Sequence, residues 1–340
     1  MIQSAELKNF GPLRDFKVDR FENINLIIGE NSSGKSFLLK ALYSAIKSIE
    51  DFKRGDDIRN ISEILSDRLY WTFQTEKIGD IVSKNADKTS PLTFKIFLDG
   101  KEFQYSYGRN TQKSIQNIVN KTIPREGNSI FIPAKEVLTL FNVIIQSREK
   151  DKIFGFDDTY LDLVRALRIP VTKGNNYPSF SSSRKVLEDL IGGKVKYDGE
   201  SGKWQFNKDR MKFSVGATAE GIKKIAIFDT LLGNRYLNKS SVIFIDEPES
   251  SLHPDAISKY LDIIFTLAQD GIQFFIASHS YFVVKKLYLI AQKNKINLPV
   301  IILNKNSDEY ELDNLVNGIP DNTIIRESIR LYKEEIDAIL

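Results

Sequence analysis

Apolar residues recur along the chain in three rhythms, and each rhythm predicts its own kind of element. In "SAELKNFGPLRDFKVD" they alternate with polar residues on either side of Gly11-Pro12, the pattern of two half-buried strands joined by a tight turn. "PLTFKIFLDGKEFQYSYG" repeats the alternation about Asp99-Gly100, and "KVKYDGESGKWQFN" (194–207) does so again, so two more hairpins are expected. Unbroken apolar runs form a second class: "INLIIG", "SVIFID", "IQFFIASHS" and "LPVIIL" read as strands covered on both faces. "SIFIPAKEVL" (129–138) reads as a strand running into a helix start. Helical stretches are the third class. From residue 211 onward, "AEGIKKIAIFDTLLGNRYL", a helix around 254–269 and one more alternate with the apolar runs. Strands alternating with helices predict an α/β fold, a parallel sheet with helices on both faces.

The remaining stretches are less regular. "SIEDFKRGDDIR", after a helix opening at Ser36, reads as a solvated face of mixed charge. Residues 58–90 read as helical and then polar, and residues 150–210 as irregular, with "KGNNYPSFSSSR" (173–184) the expected mobile loop. There is no internal repeat, low-complexity tract or heptad run, which argues against a long coiled-coil arm. With 340 residues the chain has room for one large or two ordinary domains. A net charge of +3 is too weak to argue for nucleic-acid binding by itself. The absence of cysteine excludes disulfides and thiolate zinc sites. The N-terminus has no clean apolar core of a signal peptide, and no stretch approaches the roughly 20 apolar residues of a membrane span. A cytoplasmic protein with no membrane partner is expected.

The candidate chemistry starts where the first apolar run breaks. Gly29 to Ser36, "GENSSGKS", fit G-x-x-x-x-G-K-[ST] between a strand and a helix. A chance match somewhere in such a chain is roughly a one-in-a-hundred event at ordinary residue usage. In such a loop the backbone N–H groups of residues 31–36 wrap phosphates at the positive end of the following helix. Gly29, Asn31, Ser32, Ser33, Gly34, Lys35, Ser36 and Phe37 are therefore the expected nucleotide-binding residues. Lys35 would reach the β/γ-phosphates and the Ser36 hydroxyl would hold Mg²⁺. "SVIFIDEPESSLHP" (241–254) delivers Asp246 and Glu247 to the carboxyl edge of the sheet. Asp246 would join the Mg²⁺ shell and Glu247 would polarise the attacking water. His279, at the end of "FFIASHS", reads as a γ-phosphate sensor, while His253 shapes a loop.

Together "GENSSGKS", "VIFIDEPESSLHP" and "FFIASHS" resemble the ATP-binding-cassette (ABC) ATPases of the SMC/RecF-like branch, in particular the stand-alone AAA-type ATPases of bacterial operons. "AELKNFGPLRDFKV" and "SIFIPAKEVLTL" are similar to that group as well. The resemblance covers residues 1–50 and 211–305 well and 90–140 loosely. Members include overcoming-lysogenisation nucleases and the ATPase subunits of anti-phage systems such as Septu and PARIS. It implies an ABC-type P-loop NTPase: a mostly parallel sheet covered by helices, an N-terminal antiparallel β subdomain and a helical insertion. Residues 1–50 and 205–340 would form the core, and 51–204, with the hairpin 91–107, the insertion. It also implies two protomers closing head to tail over two ATP molecules, with Lys35 and Ser36 on phosphate and Mg²⁺. Asp246 would bind Mg²⁺, Glu247 act as base and His279 as switch, with Ser250 and Ser251 in the loop reaching across the dimer.

One element departs from the family pattern. Where these ATPases offer Leu-Ser-Gly-Gly-Gln to the partner's γ-phosphate, this chain has "GATAEGIKKIAIF", with Thr218 in place of the Ser and Glu220 in place of a Gly. For the Mg²⁺-linked glutamine, Gln74 and Gln104 are the candidates. The function expected is an ATPase whose nucleotide state controls dimerisation and a separate effector protein, a nuclease or toxin, in anti-phage defence. A DNA-repair or segregation ATPase acting on DNA is the alternative. A complete overcoming-lysogenisation nuclease would need an acidic toprim domain, and 37 residues follow Leu303.

Overall fold

The computed structural model describes residues 1–171, 174, 176–305 and 310–339. The chain opens with β1 (Ile2–Phe10), β2 (Leu13–Val18) and β3 (Ile24–Gly29), then α1 (Lys35–Asp51) and α2 (Ile61–Phe73). Four strands follow, β4 (Leu92–Leu98), β5 (Lys101–Tyr107), β6 (Asn117–Asn120) and β7 (Ile130–Ile132). Next come α3 (Phe141–Ile145), α4 (Asp158–Arg168), α5 (Pro178–Ile191), and a meander of β8 (Lys194–Asp198), β9 (Lys203–Lys208) and β10 (Met211–Ser214). The last part alternates: α6 (Glu220–Gly233), β11 (Val242–Asp246), α7 (Pro254–Gln269), β12 (Gln273–Ser278), α8 (Tyr281–Asn294) and β13 (Pro299–Leu303). An edge strand β14 (Tyr310–Asn314) and helix α9 (Thr323–Ile339) complete it.

The central sheet runs β14-β13-β3-β12-β11-β7. Its pairs are parallel except β13–β14. An antiparallel sheet in the order β2-β1-β4-β5-β6 lies beside it. The expected architecture is thus observed. β4 pairs with β1 and β7 with β11, so the stretch 51–204 contributes strands to both sheets.

Every residue of β3 and of β12 is buried, which is why these strands read as unbroken apolar runs. Successive side chains alternate between two cores. Phe274 and Ile276 join one with α4 to α8. Phe275 and Ala277 join the other, where α1 is packed against the antiparallel sheet. Among the described residues no helix is long and apolar enough to cross a membrane.

Residues 150–210 are more ordered than their sequence suggests. Within the expected loop 173–184, Lys173 and Asn175 lie outside the described residues, and Pro178 opens α5 at a first-turn position that suits its fixed φ. Helix α4 reads as polar because it buries charge as well as apolar surface. Asp158 and Asp162 are covered along with Leu163 and Val164, and both carboxylates meet Arg68 of α2. The helix expected to start within 129–138 begins only at Phe141.

Gln273 joins the two sheets. Its Oε1 accepts from Ile2 N–H at 2.8 Å, and its Nε2 donates to Ile2 O at 2.8 Å and Glu22 O at 3.1 Å. Gln273→Leu keeps most of the volume but strands buried backbone groups, and should lower stability by about 2–4 kcal/mol. Urea unfolding would check this, and an unchanged midpoint would show that the sheets do not depend on this amide.

Candidate functional site

Strand register assembles the site. Ile28 of β3 lies opposite Ser278 of β12, and Ala277 opposite Asp246 of β11, so three strand ends reach one edge of the sheet. There the chain leaves β3 through a loop bent by Gly29 (φ 152), Ser32 (φ 66) and Gly34 (φ 97). A Cβ on Gly29 would lie 2.2 Å from Leu303 O, so only glycine fits beside the neighbouring strand. Gly34 is the N-cap of α1 and no side chain caps it. The first helical bond runs from Leu38 N–H to Gly34 O at 2.9 Å, and the amides of Lys35, Ser36 and Phe37 have no partner within the helix. Ser33 Oγ is buried without a partner.

Lys35 is 7% exposed and its Nζ donates to Gly29 O and Glu30 O, both at 2.8 Å. Burial lowers its pKa, and Asp246, Glu247 and Glu249 oppose that shift. Burial raises the Asp246 pKa, while the neighbouring Ser36 hydroxyl counters it. Glu247 has left-handed backbone (φ 50), and its N–H donates to Ala277 O at 2.9 Å. Its Oε1 lies 3.3 Å from His279 Nδ1. Lys35, Ser36, Asp246, Glu247 and His279 therefore lie together at this edge of the sheet.

Three further residues belong to this cluster and were not singled out in the sequence. Glu249 Oε1 accepts from Ser278 Oγ at 2.8 Å and from His279 N–H at 3.1 Å, while its Oε2 is buried and unpartnered. Lys224 of α6 donates from Nζ to the Glu247 carbonyl, and burial lowers its pKa to about 8 against the pull of Glu249, Glu247 and Asp246. Tyr160 of α4 is pushed up to about 12 by burial, with Asp157 and Asp246 adding to the shift. The available signal for Lys224 was a lysine inside the apolar stretch "IKKIAIF"; for Glu249 it was a third acid in "DEPE".

Other expected residues are placed differently. Thr218 does not present its hydroxyl at the start of α6: Oγ1 donates to Val215 O at 2.7 Å, and Ala219 is the N-cap. The helix therefore begins with free amides alone. Glu220 pairs with Lys223 at 2.5 Å. Phe37 turns its ring to Phe73 and Phe10, with centroids 4.6 Å and 5.7 Å away. Gln74 closes α2 and Gln104 lies within β5, so neither ends a strand of the central sheet. The strand on the other side of β11 from β12 is β7, and Ala134 to Glu136 after it line a cavity of about 380 Å³ with Glu220, Lys224, Glu247, Ser250 and Ser251. His253 caps α7, its Nδ1 accepting from Asp255 N–H at 3.3 Å.

A phosphate-loop strand, two carboxylates at the end of a strand two places away and a histidine just past the end of the strand between them define the class of P-loop ATPases of ABC type. The family model described as "AAA domain, putative AbiEii toxin, Type IV TA system" matches residues 24–285, and the chain belongs to this family. It is 24% identical over 355 residues to the "ATP/GTP phosphatase" of Helicobacter pylori, covering 91% of this chain and 94% of that protein. A RecF protein of Lactococcus lactis is 28% identical over 100 residues, which is 29% of this chain and 25% of that one. The fold is similar to that of an SMC head solved bound to the C-winged helix domain of ScpA (TM-score 0.56, 13% identity, 92% of this chain and 97% of that one).

The lowered pKa of Lys224 sets a pH window. Its folded value near 8 lies below the ordinary 10.5, so between these two the unfolded chain holds more protons. The contribution of Lys224 to stability is then lost as pH falls through about 8 and grows as pH rises toward 10.5. The stability of the wild type relative to Lys224→Met should climb with pH across that window in chemical denaturation. A difference independent of pH would contradict it.

Proposed function

We propose that the protein binds and hydrolyses ATP with Mg²⁺, and that its nucleotide state governs pairing with a second copy and engagement of a separate effector in anti-phage defence. The observation that carries the chemistry is the meeting of the α1 N-terminus, where Asp246 lies beside Lys35 and Ser36, with the contact of Glu247 Oε1 and His279 Nδ1 at 3.3 Å. Free amides of the loop and first turn bind phosphate oxygens, and Lys35 lies within reach of the same anion. The donor set suits a divalent cation brought by the nucleotide. Among the described residues no group of three or more His, Asp or Glu could hold a metal unaided, and one hydroxyl with one carboxylate leaves places for phosphate and water. When bound, Mg²⁺ supplies charge neutralisation of the phosphates.

Glu247 orients the attacking water, because its carboxylate is one-third exposed and in contact with His279, while Asp246 lies beside Ser36. His279 holds that carboxylate from the other side. The name of the Helicobacter pylori relative supports nucleotide hydrolysis, and the toxin system named in the family's description supports a partner effector. In the paired state the amides opening α6 meet the second copy's nucleotide, with Glu220 neutralised by Lys223.

Two substitutions separate binding from turnover. Lys35→Ala should abolish ATP binding, and calorimetric titration with unchanged affinity would refute the assignment of the loop. Glu247→Gln should bind Mg-ATP normally while hydrolysis falls by orders of magnitude. The same variant should double in mass by light scattering when Mg-ATP is added, since it retains the nucleotide that stabilises the closed pair. A mass indifferent to nucleotide would remove pairing from the reading and leave hydrolysis standing.

A further inference from the structure

Lys224 is 3% exposed in the second turn of α6, and no step described so far uses its ammonium. It donates to the main-chain oxygen of Glu247, which also accepts from Ser250 N–H at 3.0 Å. The peptide held in this way belongs to a residue with φ 50, a conformation that glutamate adopts only when its surroundings impose it. One turn earlier, a Cβ on Gly221 would stand 2.8 Å from Ser251 O and 3.1 Å from Leu252 Cδ2. Helix α6 therefore presses on the segment 247–252 at two points, one polar and one steric. Three carboxylates, Asp246, Glu247 and Glu249, hold the ammonium charged against its burial.

We infer that Lys224 is a positioning residue: it fixes the peptide of Glu247, and so the direction of its carboxylate, and ties that direction to the placement of α6. This rests on the reading of Glu247 as the water-orienting group. It adds a route from assembly to chemistry, because the N-terminus of α6 is the part offered to a second copy. A shift of that helix moves Lys224 and Gly221 together, and the backbone of Glu247 follows.

The test compares the wild type, Lys224→Met, Gly221→Ala and Glu247→Gln, plus Glu247→Gln combined with Lys224→Met. Each is assayed for ATP affinity and for single-turnover hydrolysis at saturating Mg-ATP. Lys224→Met should slow hydrolysis on the order of 10- to 100-fold, as small misplacements of a reacting group do, with ATP affinity unchanged. In the Glu247→Gln background it should cost nothing further, because the group it positions is already gone. Gly221→Ala favours the helix by propensity but collides with Ser251 O, and should slow hydrolysis in the same way with Lys224 in place. It is the deciding variant if Lys224→Met does not melt cooperatively. Full activity in both single variants, or a Lys224→Met loss that multiplies in full with that of Glu247→Gln, would overturn the positioning role alone. A wild type that hydrolyses no ATP would overturn the underlying reading with it.

Discussion

Three parallel strands ending at the same height, β3, β12 and β11, are the constraint on which the rest of the molecule turns. Their register sets Ile28 beside Ser278 and Ala277 beside Asp246, although some two hundred residues separate β3 from β11 in the chain. The register cannot slip cheaply. A shift by one residue would exchange Phe274 and Ile276 with Phe275 and Ala277 between two differently shaped cores. Parallel neighbours also require crossover connections, which leaves the long interval between α1 and β11 free to carry other structure.

The register concentrates charge at one edge. Lys35 and Lys224 face Asp246, Glu247 and Glu249 in a region where burial shifts both lysines down and Asp246 up. None of these groups is isolated. The ammonium groups rest on carbonyl oxygens of Gly29, Glu30 and Glu247, Glu249 accepts from Ser278, and Glu247 meets His279. An edge already arranged in this way presents oriented dipoles and charges to a phosphate chain with little reorganisation, which is the main contribution phosphoryl transfer asks of a protein.

The same helix that offers its N-terminus to this edge anchors residues 51–204 at its other end. Asp51, the last residue of α1, pairs with Arg68, which also meets Asp158 and Asp162 of α4. Tyr43 donates to Asp162 at 2.6 Å, and Arg148 stacks on Trp71 at 4.0 Å while pairing with Asp158. Near the start of α1, Lys40 reaches Asp157 at 2.6 Å. Helix α4 thus lies along α1 through paired charges, so its sequence carries too much polarity to announce a buried helix.

What the sequence determined by itself was local. The glycines, lysine and serine of residues 29–36, the hairpins around Gly11 and Gly100 and the apolar runs before Asp246 and His279 each specify a short-range geometry through φ preference or periodicity. The tertiary structure alone decided what those pieces meet. It brought Lys224 under the Glu247 peptide, set Glu249 behind His279, turned Thr218 back to Val215 and put β7, not a glutamine-bearing segment, beside β11. The reason is physical: a buried ammonium or carboxylate is stable only where a partner from another element neutralises it, and that partner is chosen by packing across the fold, which no single stretch of sequence encodes.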